Sequence, residues 1–488
     1  MVKGNIVRGL QASFVTNILH VVANGLLILA LTRVFLDTGE YGTLFFVLSV
    51  FGVALLFADL GTGKSGARYL SEYSERDPTQ IPHILKTVLT YRLVSIAVVG
   101  GVFVLFADEL ARLLGQPETA PLLLLGAAYV AFRSLHSFTT VTLQGFNRVD
   151  WSSAVSAAAS VGQFVFVVGF VALGFETTGA VFGYVAAYGV AALFGLVFVY
   201  VKFYRRYDRA ATVESGLRRR ILEYSVPLTA TKGANVLDKR VDTILLGVLV
   251  NPVAVGYYTL GKQISDFVMA PAASIGFTIA PNYGQLKERG EITHAARIYE
   301  TTFEYVLLLY IPAAVGLVIV AEPTIRFVFG TDFLGAIPVV QLFSGFILLQ
   351  AIDKITNDSL DYLGRSRTRA YSKGFAAVSN FFLNLLLIPM FQAAGAAAAT
   401  VATYGLMVAV NMFIIHQELS FDVFRLGRTA AGVTAISAVM AGTLLFALPY
   451  VTGAVTLVAA VLLGVAVWAL LSVLTGLLDL AQVRALVP

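Results

Sequence analysis

Residues 221–249 read ILEYSVPLTATKGANVLDKRVDTILLGVL, and the fold turns on where that run is placed. It is long enough to cross a bilayer, for which ~20 residues suffice, and both of its ends are largely apolar. Its middle nevertheless carries Lys232, Asp238, Lys239, Arg240 and Asp242. An ionisable side chain at a helix centre costs ~2.5–3.5 kcal/mol on insertion scales, so this set facing lipid would cost on the order of 10 kcal/mol or more. On a helix, Lys232, Asn235, Lys239 and Asp242 fall at i, i+3, i+7 and i+10 and make one continuous stripe. A membrane tolerates such a stripe only against a wet cavity or counter-charges.

The remainder of the chain makes lipid the natural solvent. Of its 488 residues, 58% are hydrophobic and 13% are charged, against ~25% charged in soluble proteins. Apolar runs at 10–35, 41–60, 83–107, 119–144, 151–174, 178–202, 221–249, 254–280, 301–321, 336–361, 369–391, 394–416, 428–449 and 453–477 predict an all-α polytopic protein of 14 transmembrane helices. The first run contains Asn17, His20 and Asn24 and no small-x-small cleavage site, so it reads as a span, not a signal peptide. Most of the 34 lysines and arginines lie on alternate connectors, which predicts a cell-membrane protein with both termini cytoplasmic. The net charge of +5 is explained in the same way, without nucleic acid. The absence of cysteine excludes disulfides, thiol catalysis and Cys-ligated metals.

The most basic connector divides the chain. An N-lobe of helices 1–6 (1–203), a basic cytoplasmic linker (204–220), a C-lobe of helices 7–12 (221–416) and two C-terminal helices (417–488) are expected. Aligning Gly42 with Gly256, each beside a tyrosine, suggests a parallel six-plus-six repeat with a cleft between the lobes. The longest connectors are Gly61–Ile81, Phe203–Arg220 and the stretch around Gln285–Glu300. None of them can hold a soluble domain.

Several motifs carry no chemistry. Gly61-Thr62-Gly63-Lys64-Ser65 resembles a phosphate loop, but Ala58 stands where the Walker pattern needs its first glycine. The five histidines never form His-x-x-x-His with a glutamate, so no metal site is expected. Asn357-Asp358-Ser359 matches a glycosylation sequon near the cytoplasmic end of a span, where it would go unused. Gly179 and Gly183 are spaced for close helix packing. No catalytic residues emerge, and an enzyme is not expected.

Other spans repeat the intramembrane charge. Helix eight has Lys262 and Asp266, and helix ten has Lys354, Asp358 and Asp361. Helix four presents Arg133, His136, Thr140 and Gln144 on one face, and helix two ends in Asp59. Helix one shows Asn17, His20 and Asn24, with Arg33 further out. Lys232, Lys239, Lys262, Lys354, Arg133 and Arg33 are the candidate cavity cations. Asp59, Asp242, Asp266 and Asp358 are candidates for Na+ or H+ coupling or for counter-ions, and Asn17, His20, Asn24 and Asn235 for polar lining. Internal ion pairs that merely join helices are the competing reading for Lys262–Asp266 and Lys354–Asp358. Pro227, Pro271 and Pro312 each free a backbone carbonyl. Pro227 and Pro271, beside the charged stripe, suit hinges, with fixed kinks as the alternative.

Four passages together resemble a known family. They are Asp59-Leu60-Gly61 followed by Arg68-Tyr69-Leu70-Ser71-Glu72-Tyr73; Leu143-Gln144-Gly145-Phe146-Asn147-Arg148; Asp238-Lys239 through Asp242 and Gly247 to Val255-Gly256-Tyr257-Tyr258; and Leu363-Gly364-Arg365. In this the chain is similar to the polysaccharide and lipid-linked oligosaccharide flippases of the multidrug/oligosaccharidyl-lipid/polysaccharide (MOP) exporter superfamily. The resemblance implies two six-helix lobes of the MATE-like kind around a partly basic cavity. It also implies movement of a polyprenyl- or dolichyl-(pyro)phosphate-linked glycan to the outer leaflet by alternating access. Its partners would be membrane lipids and the glycosyltransferases or polymerase of the same pathway; no cofactor beyond a coupling Na+ or H+ is implied. Relatives use cations on helices one and eight, and Lys262 is the match on helix eight. An ion-coupled exporter of drugs or of another lipid is the alternative on the same scaffold.

Overall fold

The computed structural model describes residues 2–478, with backbone alone at 2–10, 230, 231, 270–282, 284 and 285. Arg484 and the rest of 479–488 lie outside the described residues, and so does the side chain of Pro271. Among the described residues, every regular element is helical. The chain forms two compact units, Met1–Val255 and Gly256–Pro488.

The first unit contains α1 (Val2–Ala30), α2 (Thr38–Asp59), α3 (Thr62–Arg76), α4 (Ile81–Leu105), α5 (Ala107–Leu113), α6 (Ala120–Gly145), α7 (Val149–Phe170), α8 (Glu176–Val199) and α9 (Leu217–Leu249). The second contains α10 (Pro252–Glu288), which starts four residues before the boundary. It continues with α11 (Ile292–Thr324), α12 (Ile337–Tyr362), α13 (Ser366–Leu419), α14 (Val423–Ala447) and α15 (Ala454–Leu474). Among the described residues, ten helical stretches are long and apolar enough to cross a membrane. Two of them, Val149–Tyr204 and Ser366–Leu419, are of double length and are broken by non-helical residues at Gly174 and Gln392. The chain is a multi-pass membrane protein.

Local chemistry explains the helix joints. The Asp37 carboxylate accepts from Glu40 N at 2.8 Å while Glu40 accepts from Asp37 N at 3.0 Å, a reciprocal cap that starts α2. In α8, a Cβ on Gly183 would stand 2.4 Å from Val167 Cα of α7, so the small-residue spacing lets these two helices touch backbone to backbone. In α11, Pro312 lacks the N–H that Leu308 O would otherwise accept. The indole of Trp468 on α15 supplies it, donating to Leu308 O at 3.1 Å. With no water in hydrocarbon, a freed carbonyl needs such a partner, and this one ties α11 to α15 beside the proline.

Two connectors differ from the sequence-based expectation. Gly61–Ile81 is not an open loop: α3 occupies it, burying Tyr69, Leu70 and Tyr73 on one face. The stretch around Gln285–Glu300 is helical except for a turn at 289–291. The 204–220 linker is also no loose tether. Ala210 N donates to Thr79 O at 3.1 Å, Gln80 Nε2 to Thr212 O at 3.1 Å, and Glu214 N to Gln80 Oε1 at 3.1 Å. The Glu214 carboxylate accepts from Tyr73 Oη at 2.6 Å and from Arg220 Nη2 at 2.6 Å. The linker is thus a strap laid across the ends of α3 and α4.

Trp468→Phe is expected to cost about 0.5–2 kcal/mol in detergent unfolding, because it strands the Leu308 carbonyl. The loss should shrink in a Pro312→Ala background, where residue 312 regains its own N–H; an equal loss in both backgrounds would count against this role. The strap carries a pH signature. Tyr73 and then Arg220 hold the Glu214 carboxyl below the usual carboxylate range. A depressed folded value stabilises above the unfolded value of about 4.3 and is lost as pH falls through the folded value. Hydrogen exchange across 205–216, corrected for intrinsic rates, should therefore stay flat from about pH 8 to 5 and rise below about 4. In Glu214→Gln that step should vanish, whereas loosening between about pH 6 and 8 would contradict the assignment.

Candidate functional site

The site in the first unit is built on the corner after α2. Leu60 (φ 41°) and Gly61 (φ 64°) are both left-handed and turn the chain sharply into α3. A Cβ at Gly61 would lie 2.6 Å from Ser225 O of α9, so glycine is required by conformation and by the close approach. Ser65 Oγ donates to Ile221 O at 2.7 Å and extends this contact along α9.

The corner leaves Asp59 pointing among four helices. Its Oδ1 accepts from Ser134 Oγ of α6 at 2.6 Å and from Arg92 Nη1 of α4 at 3.0 Å. Arg92 Nη1 also donates to Ser134 O at 2.5 Å, and Nη2 lies 3.4 Å from Thr62 Oγ1. On the other side, Lys232 Nζ of α9 donates to Asp59 Oδ2. Asp59 and Arg92 are 4% and 1% exposed, but the Lys232 side chain is 42% exposed. One buried carboxylate therefore touches two cations, and the surplus charge sits on the cation with an open side.

The other expected residues of this unit scatter more widely. On α9, Asn235 and Lys239 are exposed whereas Asp242 is buried, so the stripe is not uniformly open. α9 runs through Pro227 as one continuous helix. On α1, His20 Nδ1 meets Ser160 Oγ of α7 at 3.0 Å, and Asn17 and Asn24 are exposed. Arg33 is exposed in the turn just before α2, so it lies the length of α2, roughly 33 Å, from Asp59. Arg133 is half-buried on α6 over the ring of Tyr188 at 4.3 Å.

In the second unit, Asp266, Lys354 and Asp358 come together. They line a cavity of about 400 Å³ with Gln350, Asp353, Asn357, Arg369 and Tyr404. Lys354 Nζ pairs with Asp358 at 3.0 Å. Asp353 is buried and accepts from Tyr404 Oη at 2.8 Å and Asn357 Nδ2 at 2.6 Å. Lys262 is not part of that cavity lining; its ammonium lies 5.6 Å from the centre of the Tyr258 ring. Among the described residues, no group of three metal-ligating side chains occurs.

Sequence reasoning missed Arg92 and Asp353. Arg92 counted as part of the basic flank of a connector, yet it lies eleven residues inside α4 and is the largest fully buried side chain among the described residues. Asp353 adjoins Lys354 and was legible as one more charge within a span.

The architecture matches solved transporters. The lipid II flippase MurJ in its inward closed conformation superposes with a TM-score of 0.75 at 16% identity, covering 96% of this chain and 98% of that one. An inward-facing multidrug transporter of the MATE family, of the MOP superfamily, gives 0.64 at 15% identity, covering 84% and 96%. By its fold the chain is a multi-pass membrane protein with the architecture of these MOP-superfamily transporters. The chain belongs to the polysaccharide biosynthesis protein family, whose profile matches residues 10–285. It is 22% identical over 429 residues to the probable low-salt glycan biosynthesis flippase Agl15 of Haloferax volcanii, covering 86% of this chain and 84% of that protein.

The Asp59 network predicts an asymmetry in stability. Asp59→Asn leaves Arg92 buried without a counter-charge and should cost about 3–5 kcal/mol. Lys232→Gln removes a half-exposed partner and should cost about 1 kcal/mol or less. Denaturant unfolding of the purified protein compares them directly, and equal losses would show that Lys232 is as structural as Arg92.

Proposed function

We propose that the protein is a flippase for a lipid-linked glycan. It carries a polyprenyl- or dolichyl-(pyro)phosphate-linked oligosaccharide from the cytoplasmic to the outer leaflet of the cell membrane, for surface polysaccharide or glycoprotein assembly. The observation that carries this reading is the cation surplus around Asp59, on a chain of the polysaccharide biosynthesis protein family that is similar to a probable glycan biosynthesis flippase. A phosphate group does not cross ~30 Å of hydrocarbon unaided, and a cation inside the bilayer offsets the cost of its charge.

Lys232 is the cation suited to exchange partners. Arg92 keeps neutralising Asp59 when Lys232 turns its open side to an incoming phosphate. Lys239, seven residues further along α9, adds a second exposed cation roughly 10 Å away. Lys262 and Lys354 serve as cations of the second unit, and Asp242, Asp266 and Asp358 as counter-ions or as sites for a coupling Na+ or H+. Two crossings in each double-length stretch, together with α9 and α10, give fourteen spans, with both termini cytoplasmic. Transport proceeds by alternating access, and the glycosyltransferases of the pathway supply the substrate.

Reconstituted vesicles test this through the leaflet exposure of a polyprenyl-diphosphate-linked sugar, read with an external lectin or glycosidase. Wild type should flip it, and Lys232→Gln/Lys239→Gln should lower the rate at least about tenfold with insertion unchanged. Unaltered flipping would remove both lysines from the mechanism. A wild type that exports a cationic dye but leaves the glycolipid in place would overturn the glycan reading.

A further inference from the structure

A second polar cluster lies in the first unit, midway along α2, α6, α8 and α9. Among the described residues it shares no hydrogen bond with the Asp59 network, although the Asp59 carboxylate is within electrostatic reach of Arg133. Tyr129 and Arg133 of α6, Tyr184 and Tyr188 of α8 and His136 of α6 surround it. The Arg133 guanidinium lies 4.3 Å from the Tyr188 ring centre, and the Tyr129 and His136 rings each lie 5.6 Å from the same ring. Arg240 of α9 passes over Gly52 of α2, where a Cβ would stand 3.1 Å from its Nε, and comes within electrostatic reach of Tyr129 and Tyr184.

What sets this cluster apart is its list of unsatisfied groups. Among the described residues, neither Arg133 nor Arg240 has a hydrogen-bond or ion-pair partner, and none of the three phenol hydroxyls has one either. His136 is 7% exposed and neither ring nitrogen makes a hydrogen bond; the Val155 carbonyl of α7 stands near but off hydrogen-bonding geometry. The three tyrosines are 6–7% exposed. Of these polar atoms the two His136 nitrogens are sealed without a partner; buried polar groups are ordinarily paired, and in hydrocarbon no bulk water compensates them. Two guanidiniums and three phenols are hydrogen-bond donors, and an imidazole always keeps one N–H. The missing complement is an acceptor-rich anion.

We propose that this cluster is an oxyanion-binding pocket for the transported head group. Arg133 is the charge partner; the hydroxyls of Tyr129, Tyr184 and Tyr188 and the ring of His136 are the hydrogen-bond donors. Arg240 supplies the positive field from the α9 side. The ligand group is either a sugar carboxylate or a phosphate, since both offer two or more acceptor oxygens to a guanidinium fork. Assigning that oxyanion to a transported head group rests on the flippase reading; the pocket itself does not.

Calorimetric titration of the full-length protein in lipid nanodiscs tests it, with glucuronate, pyrophosphate and glucose as probes. Glucuronate or pyrophosphate should bind and glucose should not, and whichever anion binds more tightly identifies the group. Arg133→Gln should weaken that binding at least about tenfold. Tyr188→Phe keeps the ring beneath the guanidinium and removes only the hydroxyl, so it should fold normally and still lose about threefold or more. No anion binding by wild type, or binding abolished by Lys232→Gln and unchanged in both pocket variants, would overturn the proposal. A protein that flips glycolipid without binding either anion refutes the pocket alone, whereas one that binds and does not flip refutes the transport reading alone.

Discussion

A carboxylate withdrawn from water must be answered by positive charge, and in this protein that requirement falls on Asp59. Arg92, Ser134 and Lys232 converge on it from α4, α6 and α9. The left-handed corner at Leu60 and Gly61 aims it inward and seats α9 on the same point. Removing one partner of such a set costs far more than the set contributes as a whole, which makes the arrangement a strong selector of one geometry. It does not by itself make the fold more stable. Arg92 is committed to this work by burial, and Lys232 is not. The division between a sealed cation and an open one gives the first unit both a rigid centre and a reactive edge.

The second unit solves its polar problems differently. Asp353 is answered by neutral donors, Tyr404, Asn357 and Asn411, and the charged pair Lys354–Asp358 lies beside it on the cavity wall. The freed carbonyl in α11 is met by an indole. Away from the membrane-depth groups, the Arg425 guanidinium clasps Glu300 and Glu304 and joins α14 to α11. Each unit thus holds its helices together by pairing particular groups, as expected where lipid removes the hydrophobic drive between helices.

How much of this was legible in the sequence depends on the range of the interaction. Helix placement followed from hydropathy, and the peculiarity of α9 from the cost of its charges, because both are local quantities. Lys354 and Asp358 are one helical turn apart and were readable as a pair. Arg92 was not, since its partners lie 33 and 42 residues away and its own neighbourhood resembled a basic flank. The carbonyl freed by Pro312 was evident, but its hydrogen-bond donor lies 160 residues beyond it. The sequence puts Arg33 at the outer end of the first helix, and the length of α2 separates it from Asp59. The stripe on α9 was correct as a periodicity and incomplete as a surface, because periodicity does not say which neighbour covers which turn.

The lower end of α9 is moored three times over, by the backbone contact at Gly61, by the Ser65 hydroxyl and by the strap buckled through Glu214 and Arg220. These fastenings all grip residues 217–229, and the charged side chains from Lys232 to Asp242 lie beyond them. The far end is held as well, by Gln116 Nε2 donating to Gly247 O at 2.8 Å and by Gly247 lying against the Phe46 ring, so the helix is a beam supported at both ends. A beam held at both ends flexes most between its supports, so any flexing falls on the stretch that bears Lys232 and Lys239, about two turns apart.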